Sequence, residues 1–88
     1  MAQRSAVVAS KVGLHARPAA LFVRAVLDSG VPVTLSRGGS EPVDAGSILA
    51  VMALGAQHGD EVVLAAEGAG AEQVLDDLAA LVQTDLDA

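Results

Sequence analysis

The chain has 88 residues, eleven acidic against five basic side chains for a net charge of −6, one Phe as its only Phe, Tyr or Trp, and no cysteine. The acidity and the lack of aromatic platforms argue against a nucleic-acid partner, because counterion release needs clustered cations and base stacking needs rings. The missing thiols exclude disulfides and thiolate metal sites, and they fit a reducing cytosol.

Gln3 to Ser10 reads as a strand, with Ala6 and Val8 inward. From Ala16 to about Asp28 the period becomes helical. At ~100° per residue, Ala19, Phe22, Val23 and Val26 share the core arc, while Arg17, Ala20, Leu21, Arg24 and Asp28 share the opposite one. Pro18 suits the first turn of that helix, and Ser29-Gly30 ends it. Val31 to Leu35 alternates as a second strand. Arg37-Gly38-Gly39-Ser40 has hairpin chemistry, and Glu41 to Asp44 forms a short third strand. Ser47 caps a short helix, Ile48 to Leu54, which Gly55 closes. His58-Gly59-Asp60 is a turn before a fourth strand, Glu61 to Glu67, with Val62, Leu64 and Ala66 inward. Beyond Gly68 and Gly70, the stripe Val74, Leu75, Leu78, Leu81, Val82 marks a last helix. The order βαββαβα predicts a single α+β domain over residues 1–88: an antiparallel sheet with helices on one face. No apolar run is long enough for a bilayer span and no secretory signal opens the chain, so a cytoplasmic protein without membrane insertion is expected.

The chemistry gathers at the start of the first helix. His15 sits at the helix N-cap or just before it, where unpaired N–H groups and the positive end of the helix dipole face outward. An anion on its imidazole would meet the backbone donors of Ala16 and Arg17, since Pro18 has none. The Arg17 guanidinium can fork onto phosphate oxygens. Lys11, Arg17 and Arg24, three of the five bases, surround the histidine, a local positive patch suited to an acidic surface or a small anion. Two readings fit the residues: a histidine that carries a phosphoryl group, and a histidine that merely caps a helix. No G-x-S-x-G elbow supports a serine hydrolase. His58 is the only other histidine, without a ligand set around it, so no metal is expected; it reads as an exposed turn residue with no assigned role.

GLHARPAALF followed by DAGSILAVMALGAQHGDEV closely resembles the HPr family, the histidine-containing phosphocarriers of the bacterial phosphoenolpyruvate-dependent sugar phosphotransferase system, over the full length. The resemblance implies a four-stranded sheet in the order 1-4-2-3 covered by three helices. It implies that His15 accepts phosphate on Nδ1 from a phosphohistidine of enzyme I and delivers it to an enzyme IIA, with Arg17 as the active-site arginine. It further implies a monomeric carrier, not itself an enzyme and with no cofactor; magnesium and phosphoenolpyruvate belong to enzyme I. Helix 48–54 is apolar around its whole circumference, and its pattern leaves open which arc is buried. The resemblance places Ile48, Leu49 and Met52 outward. With Ala20, Leu21 and Arg24 they would form a docking patch for enzyme I and enzyme IIA. In some HPr proteins the serine matching Ser47 is phosphorylated by an ATP-dependent kinase, which would bring in that kinase and a regulatory protein as partners. This chain departs from that pattern by one extra residue before the serine, with Gly46 just ahead. The alternatives are an HPr-like paralogue serving nitrogen regulation or dihydroxyacetone phosphorylation, and a docking module whose histidine is never phosphorylated.

Overall fold

The structure, a computed structural model, describes residues 2–86. Its elements are β1 (Ala2–Val7), α1 (Ala16–Ser29), β2 (Val33–Arg37), β3 (Val43–Asp44), α2 (Ile48–Leu54), β4 (Glu61–Ala66) and α3 (Ala71–Val82). The four strands form one antiparallel sheet in the order β1-β4-β2-β3, as expected, with three helices. In β4 the alternation does the sorting. Val62, Leu64 and Ala66 are buried, and Leu64 stands in register between Arg4 and Leu35. Against this face α1 buries Ala19, Phe22, Val23 and Val26, the arc that the helical period selects. From α3 come Leu75, Leu78 and Val82. Phe22 is fully enclosed, and burying a side chain of that size contributes roughly 1.5–3 kcal/mol.

Strand ends differ from the sequence expectation for identifiable reasons. β1 stops at Val7 because the chain then leaves β4: the Val8 N–H donates to Asp60 O (2.9 Å) and the Ala9 N–H to Val82 O (3.1 Å). β2 starts at Val33, two residues late. Gly30 turns the chain in the left-handed region, the Ser29 hydroxyl accepts the Val31 N–H at 3.1 Å, and Pro32 has no N–H to offer a ladder. The strand continues to Arg37 instead. β3 shrinks to Val43–Asp44, because the Arg37–Ser40 turn closes on itself and leaves Glu41 and Pro42 outside. β4 ends at Ala66, one residue early. At the open edge, Arg4 on β1 reaches α3, with Nε 2.7 Å from Asp76 and Nη2 3.4 Å from Glu72. The hydrogen bond to Asp76, then its charge, raises the Arg4 pKa above the ordinary guanidinium value. A charge turned toward the helices on an edge strand also discourages pairing with another chain.

Candidate functional site

The loop that leads into the site is determined by its glycine. Gly13 has φ +75°, and a Cβ there would lie 2.5 Å from the Ala56 carbonyl oxygen and 2.9 Å from Gln57 Cα. Only glycine fits that backbone and that contact. The adjacent Leu14 is buried and donates its N–H to Ala56 O at 2.9 Å. The loop is therefore anchored immediately before His15.

His15 is the N-cap of α1, in extended backbone at φ −143°, ψ 158°, and its side chain makes no capping hydrogen bond. The residue is exposed. The capping reading thus holds for its backbone and not for its ring. An N-cap side chain serves the N–H of the second or third helical residue; the third here is Pro18, which has none, and the ring does not take the N–H of the second, Arg17. The His15 carbonyl accepts the Ala19 N–H at 3.4 Å. The N–H groups of Ala16 and Arg17 have no intrahelical acceptor, which leaves a donor-rich helix start beside the imidazole. Ala16 itself has φ +50°, the one non-glycine residue with positive φ among those described. Such a conformation costs on the order of 1–3 kcal/mol and persists only where its surroundings enforce it.

Arg17 is exposed, and among the described residues no carboxylate pairs with it or with Lys11. The other three bases each have a carboxylate partner. Arg4 is held by α3, Arg37 lies 3.3 Å from Asp60, and Arg24 lies 3.5 Å from Asp28 one turn on. The Arg24 pair is fully at the surface, where such pairs contribute little. Arg24 is therefore still open to an external acidic group.

Val51 is the wholly buried residue of α2, which decides the arc left open by the pattern. Ile48 and Leu49 face outward, Leu49 at 78% exposure, while Met52 is half-buried against the core. On α1, Ala20, Leu21 and Arg24 are exposed. Since α1 packs against α2, these residues lie on two adjoining helices. Three exposed apolar residues escaped the sequence reading, Val7, Val12 and Leu27. Leu27 falls one turn beyond Arg24 on the same surface, a placement the helical period already contained. Ser47 caps α2, with Oγ accepting the Ala50 N–H at 3.3 Å, and the Gly46 N–H just before it binds Asp44 Oδ1 at 2.8 Å. His58 is exposed in the 57–60 turn. No group of three or more metal-ligating side chains is assembled among the described residues, and no helix is long and apolar enough to cross a membrane.

An open-faced βαββαβα sandwich that presents an unengaged histidine at its first helix start defines a class of small histidine proteins. The family described as "PTS HPr component phosphorylation site" matches residues 2–84. The phosphocarrier protein HPr of Streptomyces coelicolor is 52% identical over 87 residues, covering 99% of this chain and 94% of its own. The crystal structure of HPr-C-His from Thermoanaerobacter tengcongensis superposes with a TM-score of 0.90 at 33% identity, covering 100% of this chain and 98% of that one. An HPr dimer from the same organism gives 0.70 at 35% identity, covering 94% of each chain. The chain belongs to the HPr family, the phosphocarriers of the phosphotransferase system.

Proposed function

We propose that His15 accepts a phosphoryl group on Nδ1 from the phosphohistidine of enzyme I and passes it to a histidine of an enzyme IIA in sugar uptake. A nitrogen–phosphorus bond forms on His15 as the donor's breaks, and the same exchange with the acceptor restores the free imidazole. The observation that carries this reading is a ring that is exposed at the positive end of α1 and spends no hydrogen bond on the helix. Arg17, unpaired at the same helix start, clamps the phosphate together with the N–H groups of Ala16 and Arg17. The transferring phosphoryl is loose and metaphosphate-like, so charge and alignment matter more than covalent chemistry. A helix end and one arginine stabilise the phosphate by roughly 1–3 kcal/mol together, enough to bias an exchange between histidines without trapping it.

Ala20, Leu21, Ile48, Leu49 and Met52 form the apolar docking face, and Arg24 steers acidic partners onto it. Ser47 is a second, regulatory phosphorylation position for a serine kinase. A phosphate there adds negative charge beside the docking face and opposes an acidic partner. In this reading the carrier works in the cytoplasm as one copy.

Incubation with phosphoenolpyruvate, magnesium and enzyme I tests the reading. One acid-labile phosphate per chain is expected by intact mass, and none on His15→Ala. No uptake by the wild-type protein with enzyme I shown to be active would refute it.

A further inference from the structure

We infer that Arg37 is a positioning residue for His15: with Asp60 it clamps the 55–60 turn to the end of β2, and that turn holds the backbone leading into the histidine. The inference rests on the reading of His15 as the phosphoacceptor. Arg37 is the last residue of β2 and lies outside both the docking face and the helix start. Its Nη1 donates to the carbonyl of Gly55, the C-cap of α2, and to Asp60 Oδ2 at 3.3 Å. The same carboxylate oxygen accepts the Gln57 N–H at 2.9 Å. The turn is thus braced across its width by one guanidinium and one carboxylate.

From that turn two hydrogen-bonded links run to the site loop. Val8 exchanges bonds with Gly59 and with the Asp60 carbonyl, each at 2.9 Å. Nearer the histidine, Leu14 donates to Ala56 O at 2.9 Å, and Gly13 packs against Ala56 and Gln57 with no room for a Cβ. A shift of the turn is therefore passed directly to residues 13 and 14. On the other flank, Ala16 is held in the left-handed region while Pro18, Ala19 and Phe22 are locked in the core. A strained alanine keeps that φ only while both flanks are fixed. The helix flank is fixed by burial; the loop flank is fixed through the turn that Arg37 and Asp60 brace.

An exposed ion pair by itself contributes little, and the Arg37 and Asp60 side chains are 41% and 39% exposed. What distinguishes this one is its second acceptor. The carbonyl of Gly55 stands at the negative end of α2, where a cation is favoured, so the guanidinium joins a helix end, a turn and a strand end.

Arg37→Met, which keeps the aliphatic stem, tests the assignment alongside Arg37→Lys and Asp60→Asn. The readouts are hydrogen exchange of the Leu14 amide, the phosphotransfer rate constant at saturating phospho-enzyme I, and the dissociation constant for enzyme I. With Arg37→Met, the Leu14 amide should exchange faster. Transfer should slow by about tenfold or more, the scale on which misplacing a reacting group is felt, with affinity for enzyme I unchanged. Arg37→Lys should recover most of the rate, and Asp60→Asn, which leaves an acceptor oxygen, should lose less than Arg37→Met. Transfer by Arg37→Met at the wild-type rate would overturn the proposal. So would a loss of rate that follows melting temperature and is not rescued by lysine. If Arg37→Met does not fold, Asp60→Asn decides by the same measurements. If the wild-type protein takes no phosphate, the phosphoacceptor reading fails by itself, and Leu14 exchange still reports whether Arg37 holds the loop.

Discussion

Helices α1 and α2 both follow a polar N-cap residue in extended backbone, His15 at φ −143°, ψ 158° and Ser47 at φ −109°, ψ 116°. At α2 the side chain is consumed by structure, because the third helical residue, Ala50, has an N–H and the Ser47 hydroxyl accepts it. At α1 the corresponding residue is Pro18, which offers no N–H, and the imidazole leaves the N–H of the second residue, Arg17, unserved. A proline three positions into the helix removes one of the two donors such a side chain can serve, and the ring engages neither. The backbone tells the same story: α2 starts without strain, whereas α1 starts through Ala16 at positive φ.

The contrast can be broken most sharply at the two caps. His15→Ala should abolish phosphate uptake yet change unfolding free energy by less than about 0.5 kcal/mol, as for an ordinary surface substitution. A large stability loss in urea denaturation would mean that the ring does cap. Next in size is Arg17→Ala. Removing charged hydrogen bonds to a transferring phosphate costs roughly 1.5–3 kcal/mol, so rapid-quench transfer rates should fall about ten- to a hundredfold. Rates within twofold of wild type would separate Arg17 from the chemistry. Ser47→Ala should show the opposite profile, a stability loss of ~1 kcal/mol with His15 phosphorylation unchanged. The smallest effect belongs to the docking rim. Arg24→Glu should slow transfer from enzyme I at low ionic strength and lose most of that effect at high salt. Equal slowing at both would remove electrostatic steering from the account.

Much of this was readable residue by residue. The helical period selected the buried arc of α1 and its exposed counterpart, the limits of Ile48–Leu54 followed from Ser47 and Gly55, and alternation chose the inner face of β4. G-L-H-A-R-P marked the histidine and its arginine. Less legible were the strand ends. Val31 has the right alternation for β2, yet its N–H is taken by Ser29 and the strand begins beyond Pro32.

By itself, then, the sequence determined the order of elements, their core faces and the histidine at a helix start, since these follow from neighbours within one or two turns. Tertiary structure decided the rest: that Val51 is the residue α2 buries, that Ala16 is held at positive φ, and that Arg37 finds Asp60 across 23 positions. A uniformly apolar helix has no pattern to orient it, and a lone arginine beside two glycines carries no mark of its partner. Those choices are made when the core closes and brings distant segments into contact, where burial and hydrogen-bond geometry select one arrangement.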